Sequence, residues 1–142
     1  MSWQQKPLVL IVDDDADFVS DLAALLSSEF EIMSASDTRE ACDRWLEMRP
    51  DCILLDLNMP EYFGHDAARE GLAFLSHIRS AYESRTPAPT PVIVVSACGD
   101  DAITGEAEAL GAHHFFRKPL DVNHLKASIW IEVTSREGRV PS

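Results

Sequence analysis

Three runs of consecutive apolar residues stand out along the chain, and each run ends at a polar residue. Unbroken apolar runs of this length are typical of strands that are buried on both faces of a parallel sheet. Two segments of mixed composition complete a set of five predicted strands. In chain order, the predicted strands cover residues 8–12, 31–35, 52–55, 92–95 and 112–116.

Between these strands, apolar residues recur every three or four positions, which is the spacing of an amphipathic helix. The first predicted helix covers residues 17–30, and the second begins at a cap formed by Asp37 and Thr38 and ends before Pro50. A third, a fourth and a fifth helix are predicted from their apolar stripes. These stripes are Leu72, Leu75, Ile78 and Tyr82, then Ile103, Ala107 and Leu110, and finally Val122, Leu125, Ile129 and Val133.

Strands that alternate with helices need crossover connections, which favour a parallel sheet. The sequence therefore predicts an α/β fold, a doubly wound five-stranded parallel sheet with five helices. At 142 residues the chain can bury a single core without disulfides or metals. We predict one domain over residues 7–134, with flexible termini at 1–6 and 135–142.

The charge balance limits the kinds of partner that this domain can have. There are 24 acidic and 12 basic residues, so the formal charge of −12 repels nucleic-acid phosphates and anionic lipid. We therefore expect protein partners, with no direct binding to nucleic acid or membranes. No apolar segment has the length of a signal peptide core or a membrane span, and the three cysteines form no close pair, so we expect a cytoplasmic protein.

Polar residues follow the predicted strands where each strand ends. Asp13, Asp14 and Asp15 follow the first strand, and Asp56, Ser96 and Lys118 follow the third, fourth and fifth. Carboxyl ends of parallel strands share one edge of the sheet, where ligands bind in open α/β folds. Carboxylates gathered there repel one another unless a cation lies between them, and Mg²⁺ prefers such oxygen ligands. With a lysine, a hydroxyl and a carboxylate nucleophile, this edge is suited to phosphoryl transfer.

In the order, type and strand-end position of these residues, the chain resembles the receiver domains of two-component response regulators. The matching motifs are Asp13-Asp14, Asp56 with Asn58 and Pro60 behind it, Ser96-Ala97, and Lys118-Pro119. The resemblance implies a flavodoxin-like sheet with strand order 2-1-3-4-5.

The resemblance also implies a function. Asp56 would accept a phosphoryl group from a sensor histidine kinase or a phosphotransfer protein, and Lys118 would pair with that group. Asp13 and Asp14 would hold Mg²⁺ together with Asp56 and the backbone carbonyl of Asn58. The protein would catalyse its own phosphorylation and dephosphorylation and no other reaction.

The resemblance further implies how the signal is passed on. Ser96 would move toward the phosphoryl group while Phe115 rotates inward, and the bond between Lys118 and Pro119 would be cis. The fourth helix, fifth strand and fifth helix would then present a changed surface to a downstream protein target.

The sequence departs from the family pattern after Pro60. Receiver domains usually have a glycine about four residues after this proline, at the start of the third helix, and Gly64 holds that position. The run that begins at Gly71 looks more like a helix start, which implies an insertion of about seven residues. Residues 61–70 are predicted to be a long loop that either gates access of the phosphodonor or contacts a partner, or is a tolerated surface loop.

Other interpretations of the polar residues remain open. Asp13 and Asp15 have the Asp-x-Asp spacing of haloacid-dehalogenase-like phosphohydrolases, in which Asp13 would be the nucleophile, although the later acidic pair is absent beyond Asp100-Asp101. The domain could also be a phosphorylation-independent interaction module. Asp15 could merely cap a helix or face solvent. His113 and His114 are neighbours in the predicted fifth strand, so we expect their side chains to point to opposite faces.

Overall fold

The computed structural model describes residues 6–60, 67–83, 90–97 and 101–137. Strands and helices alternate along the chain. The elements are β1 (Leu8–Val12), α1 (Ala16–Leu26), β2 (Glu31–Ala35), α2 (Thr38–Met48), β3 (Cys52–Leu55), α3 (Ala67–Glu83), β4 (Val92–Ser96), α4 (Asp101–Ala109), β5 (His114–Arg117) and α5 (Val122–Glu137).

The five strands form one parallel sheet in the order β2-β1-β3-β4-β5. This topology confirms the predicted doubly wound α/β fold and its strand order. β1 and β3 are neighbours although a helix, a strand and a second helix separate them in sequence. The order of the sheet therefore reverses beside these two strands, which is where doubly wound folds form a crevice.

The sheet separates two hydrophobic clusters, because successive side chains of a strand point to opposite faces. One cluster joins alternate residues of β1, β3 and β4 to α2, α3 and α4, and Trp45 and Phe74 are among its large members. The other cluster joins the remaining residues of these strands to α1 and α5, and it includes Phe30 and Ile129. Helices cover both faces of the sheet, so successive side chains of the central strands are directed into one apolar cluster or the other. This explains why these strands are unbroken apolar runs.

Helix α1 is shorter than predicted at its carboxyl end. It stops at Leu26, whereas the apolar pattern extends to Phe30, which is buried but lies outside the helix. The Ser27 hydroxyl donates to the carbonyl of Ala24 at 3.2 Å. Serine side chains compete in this way for backbone hydrogen bonds, so they favour a helix end over its continuation.

Helix α3 corrects the prediction of a long loop over residues 61–70. The helix begins at Ala67, four residues before the predicted start at Gly71, and residues 61–66 lie outside the described part. Glu70 is fully buried, and its carboxylate accepts a hydrogen bond of 2.8 Å from the Thr38 hydroxyl on α2. A buried contact with α2 therefore supports a helical turn that apolar periodicity alone does not reveal.

Helix α5 continues to Glu137, three residues beyond the predicted domain end at residue 134. The residues after Thr134 are mostly polar, a composition that predicts a flexible tail. Polar residues are equally compatible with a final helical turn when no glycine or proline intervenes. The remaining residues of the predicted termini, 1–5 and 138–142, lie outside the described part.

The prediction that His113 and His114 point to opposite faces was wrong. Strand β5 begins at His114, so His113 precedes the strand and its side chain does not follow the strand alternation. Both rings approach one carboxylate on α5: His113 Nδ1 lies 3.7 Å from Glu132 Oε1, and His114 Nε2 lies 2.9 Å from Glu132 Oε2. The two histidines therefore help to join the edge strand to α5.

Gly71 lies where α3 crosses the chain that leaves β3. Its N–H donates to the Leu57 carbonyl at 3.0 Å. A Cβ atom at position 71 would lie 2.8 Å from this carbonyl oxygen and closer still to the Leu57 Cα atom. The two backbones can approach this closely only because residue 71 has no side chain. This contact fixes α3 against the segment that directly follows Asp56.

We expect Gly71→Ala to lower the free energy of unfolding by about 1–3 kcal/mol, because the added methyl group has no space and forces the two backbones apart. Urea denaturation measures this loss. Gly105→Ala is the matched control, since Gly105 is an exposed residue of α4 and a Cβ atom there meets nothing within 4 Å. The control should gain about 0.5–1 kcal/mol from reduced chain entropy. Equal stabilities of the two variants would contradict the close approach at Gly71.

Candidate functional site

The register of the sheet places two aspartates side by side. Val12 and Leu55 are partners in the pairing of β1 with β3, so the residues that follow them, Asp13 and Asp56, leave the sheet together. Backbone hydrogen bonds extend the pairing by one residue on each strand: Asp56 N–H donates to Val12 at 2.9 Å, and Asp13 N–H donates to Ala35 at 3.0 Å. Two carboxylates are thus held at one edge by rigid backbone.

Asp14 completes an acidic cluster with Asp13 and Asp56. One carboxylate oxygen from each residue lies within 4.8 Å of the others. Asp13 and Asp56 are 3% and 8% exposed, whereas Asp14 is exposed. Two of the three carboxylates are therefore largely removed from water. Charges repel each other more strongly in the protein interior than in solution, so these two carboxylates repel each other strongly.

Asp15 has a separate role that is structural. Its carboxylate accepts a hydrogen bond of 3.1 Å from the Phe18 N–H and caps α1. Its own N–H donates to Asp13 Oδ1 at 2.9 Å. Both interpretations left open for Asp15 are confirmed, because it caps the helix and is exposed to solvent, and its N–H also orients the Asp13 carboxylate.

Lys118 provides the positive charge of the site. Its Nζ atom donates to Asp13 Oδ2 at 2.7 Å and lies 3.4 Å from Asp56 Oδ2. Burial favours the neutral amine, but the hydrogen bond to Asp13 and the charges of Asp13 and Asp56 outweigh it, so the pKa of Lys118 is raised above its usual value. Lys118 is thus a permanent cation at neutral pH.

Asp56 is surrounded by donors, but its burial dominates its ionisation. Its Oδ1 atom accepts from the Asn58 N–H at 3.0 Å and from the Ser96 hydroxyl at 3.1 Å. Burial raises the pKa of Asp56 above its ordinary value, and the Asp13 charge adds to this effect. The Asn58 hydrogen bond, Lys118 and Ser96 act in the opposite direction without cancelling it.

These residues line an open cavity of about 320 Å³ at the carboxyl edge of the sheet. It is lined by Asp13, Asp14, Asp15, Asp56, Asn58, Met59, Pro60 and Lys118.

The cluster fits a divalent cation on both charge and ligand type. Three carboxylates carry −3 and the Lys118 ammonium carries +1, which leaves −2 and matches the charge of one divalent ion. Carboxylate oxygens are the ligands that Mg²⁺ prefers, with water and phosphate oxygens completing its coordination. Within the described residues, the groups that could hold such an ion are Asp13, Asp14 and Asp56.

The remaining predicted site residues lie on or beside the edge strand β5. Ser96 pairs in register with Arg117, so its hydroxyl reaches the site beside Lys118. The Lys118–Pro119 peptide bond is cis. Phe115 lies three residues before the lysine with 37% of its surface exposed. The structure therefore brings Ser96 and Lys118 to the acidic cluster and leaves Phe115 on the surface.

One residue that contacts the site was not predicted from the sequence. The Lys118 Nζ atom lies 4.0 Å from the centre of the Phe18 ring, which is a cation–π distance. In the sequence Phe18 is only the first member of the apolar stripe of α1. No feature of that stripe signals that its first ring faces a charge from the opposite end of the chain.

A family model of the response regulator receiver domain matches residues 9–130. The chain belongs to this family. The match confirms the resemblance drawn from the strand-end residues, and it extends from β1 into α5.

Receiver domains similar to this one occur within longer proteins. The transcriptional regulatory protein PrrA of Mycobacterium tuberculosis is 36% identical over 127 residues, which are 87% of this chain and 48% of PrrA. A protein-glutamate methylesterase/protein-glutamine glutaminase of Caldanaerobacter subterraneus is 36% identical over 121 residues, 82% of this chain and 29% of that protein. This chain therefore spans less than half the length of either relative.

Solved receiver domains share the fold at lower sequence identity. The signal receiver domain of a putative Luxo repressor protein from Vibrio parahaemolyticus superposes with a TM-score of 0.80 at 23% identity, over 94% of both chains. A CheY-like receiver domain protein from Methanospirillum hungatei gives a TM-score of 0.79 at 19% identity, over 94% of this chain and 98% of that one. In the described part of this receiver domain, no helix combines the length and apolarity needed to cross a bilayer.

The raised pKa of Asp56 predicts how stability depends on pH. The folded state binds the Asp56 proton more tightly than the unfolded state, in which the pKa is near the ordinary aspartate value of 3.8. Ionisation of Asp56 therefore makes the free energy of unfolding fall as pH rises above that value. Asp56→Asn removes this charge. We expect the variant to be more stable than the unchanged protein at pH 7 without metal, and this advantage to vanish below about pH 3.8.

Urea denaturation over a pH series in chelator measures this difference. Asp43→Asn is the control, because Asp43 is exposed on α2 away from the site and should show no comparable gain. A destabilised Asp56→Asn protein at pH 7 would show that the contacts of the carboxylate outweigh its burial.

Proposed function

We propose that this receiver domain is a phosphorylation switch that accepts a phosphoryl group on Asp56 from a sensor histidine kinase or a phosphotransfer protein. One observation carries the proposal: the Asp56 carboxylate is in contact with an ammonium, a hydroxyl and a backbone N–H at the mouth of an open acidic cavity. This combination supplies a nucleophile together with donors for the oxygens of a transferred group.

In the proposed reaction, an Asp56 oxygen attacks phosphorus and forms an O–P bond as the bond to the donor breaks. With a phosphohistidine donor the N–P bond breaks, and the electron pair returns to the imidazole. Lys118 pairs with a phosphoryl oxygen, and the Ser96 hydroxyl donates to another. Asp13 keeps Lys118 charged and beside the reacting oxygens through its hydrogen bond of 2.7 Å.

We assign Mg²⁺ to Asp13, Asp14, Asp56 and the backbone carbonyl of Asn58. The ion would neutralise charge that develops on the phosphoryl oxygens during transfer. The residual −2 charge of the cluster supports this assignment, as does the exposure of Asp14, which leaves a side from which a hydrated ion can enter.

The output of the switch is proposed to be the surface formed by α4, β5 and α5. Phosphorylation adds roughly one unit of negative charge or more at Asp56, which favours a conformer in which Ser96 and Lys118 both contact the phosphoryl group. Ser96 pairs with β5, and Phe115 lies on that strand three residues before Lys118. A movement of Ser96 or Lys118 is therefore passed along a few residues of the edge strand β5 to the exposed Phe115. A downstream protein would bind at this surface.

Asp56 is a better candidate for the nucleophile than Asp13, which the phosphohydrolase interpretation requires. Lys118 donates to Asp13 Oδ2 at 2.7 Å but lies 3.4 Å from Asp56 Oδ2, so this Asp56 oxygen is the less tightly held of the two. Asp13 is also the more buried of the two. The receiver-domain family match supports the same choice, so we propose no enzymatic activity on other molecules beyond the protein's own phosphorylation and dephosphorylation.

We propose a cytoplasmic location and protein partners. Cys42 and Cys52 are free thiols, which is typical of a reducing compartment. The formal charge of −12 opposes direct contact with nucleic acid or anionic membranes. The proposed receiver unit covers residues 7–134, to which the end of α5 is added.

Incubation with acetyl phosphate and Mg²⁺ should add one phosphate to the protein, detected by intact mass. Asp56→Asn should abolish the adduct, because the amide cannot form an acyl phosphate. Chelation of Mg²⁺ should also prevent it. Asp43→Asn, which changes an exposed carboxylate on α2, should be phosphorylated normally. Persistence of the adduct in Asp56→Asn, with the phosphate mapped to Asp13, would favour the phosphohydrolase chemistry.

If neither acetyl phosphate nor a phosphorylated histidine kinase modifies the unchanged protein, the proposed switch is wrong. The interaction module that does not need phosphorylation would then be the better account.

Mg²⁺ should raise the melting temperature of the unphosphorylated protein, because a ligand that binds only the folded state stabilises it. The gain is about 2.7 kcal/mol when the ion is at a hundredfold excess over its Kd. Asp14→Asn should weaken the response at least tenfold in Mg²⁺ concentration, whereas Asp17→Asn on the first turn of α1 should leave it unchanged. An equal response of both variants would contradict the assigned ligands.

A further inference from the structure

Among the residues that the structure describes, three contact the Lys118 ammonium, and the proposed phosphoryl transfer accounts for only two of them. Asp13 and Asp56 lie on one side, at 2.7 and 3.4 Å from Nζ. The third neighbour is the ring face of Phe18, whose centre is 4.0 Å from the same nitrogen. The Lys118 side chain is 17% exposed, so this contact is partly shielded from water.

A short chain of hydrogen bonds places the Phe18 ring. Asp13 Oδ1 accepts from the Asp15 N–H, and the Asp15 carboxylate accepts from the Phe18 N–H at the start of α1. Phe18 then reaches Lys118, and Lys118 returns to Asp13 Oδ2. The Phe18 ring is therefore linked through contacts to both Asp13, the proposed metal ligand, and Lys118, the proposed partner of the phosphoryl group.

The ring attracts the ammonium in a way that differs from a carboxylate. A cation–π contact comes from the negative face of the ring and tolerates lateral movement of the cation across it. In the proposed transfer, Lys118 exchanges its contact with Asp56 Oδ2 for one with a phosphoryl oxygen while it keeps its hydrogen bond to Asp13. The ring face can also keep contact with the ammonium before and after this exchange, and it does not occupy an N–H donor that the phosphoryl oxygen needs.

We propose that Phe18 is a positioning residue for phosphoryl transfer, whose ring face holds the Lys118 ammonium beside Asp56 while the ammonium changes partners. The proposal rests on the proposed function of Asp56 and Lys118. Phe18 touches neither the phosphodonor nor the reacting atoms, and it acts only through Lys118.

Phe18 also packs against the apolar cluster shared by α1 and α5, so a purely structural role must be separated from this one. Replacement of Phe18 by mono-, di- and trifluorophenylalanine separates them. Each fluorine weakens the negative ring face while size and apolarity change little. We expect the rate constant for phosphorylation by acetyl phosphate, at saturating Mg²⁺, to fall stepwise with fluorine number and to reach about a fivefold loss.

The same fluorinated series at Phe30 is the matched control. Phe30 is a fully buried phenylalanine that follows α1, and its ring packs against Trp130 at 5.2 Å between centres. Fluorination there should leave the rate constant unchanged. Among ordinary variants, Phe18→Tyr should retain the rate and Phe18→Leu should lose it. A rate that does not respond to fluorination of Phe18 would overturn the proposal and leave Phe18 as a packing residue.

A second readout does not depend on phosphorylation. The ring current of Phe18 should shift the NMR signals of the Lys118 ε-methylene protons upfield, and Phe18→Leu should remove this shift. Absence of the shift in the unchanged protein would show that the ring does not hold the ammonium. If the shift is present but no phosphate adduct forms, the contact stands and the proposed function fails, together with the role of Phe18 in transfer.

Discussion

The repulsion between carboxylates at one edge of the sheet is the constraint that the other groups of the site must offset. Parallel pairing of β1 with β3 places Asp13 and Asp56 next to each other, and Asp14 lies beside them. The Lys118 ammonium offsets part of this charge and leaves an excess of two negative charges on these three carboxylates. The folded state therefore has an incompletely balanced site, and it gains stability from any cation or proton that enters it.

Much of this arrangement could be predicted from the sequence, because the causes are local. Apolar runs without alternation identify β1, β3 and β4, and the polar residue that ends each run then lies at the carboxyl edge of the sheet. Sheet order followed from the family resemblance and not from the residues alone. Asp13, Asp14, Asp56, Ser96 and Lys118 could be brought together on these grounds before any distance was known.

The parts that could not be predicted depend on contacts between residues far apart in sequence. The first turn of α3 is supported by the buried hydrogen bond between Thr38 and Glu70, and polar residues carry no periodic signal for such a contact. Phe18 likewise has the pattern of an ordinary core residue, and its position under Lys118 becomes visible only when α1 and the end of β5 are seen together. Histidines 113 and 114 show the same limit, since one of them lies outside the strand.

The close approach of Gly71 to Leu57 has a consequence for how the chain can vary. Leu57 directly follows Asp56, and the Gly71 N–H donates to its carbonyl at 3.0 Å, so α3 is joined by backbone to the segment that carries part of the acidic cluster. Because a Cβ atom does not fit between these two backbones, any larger residue at position 71 would displace either the helix or the segment that follows β3. The residue at this position of α3 is therefore limited by the backbone that carries Asp56, and not by helix propensity, which would favour alanine over glycine.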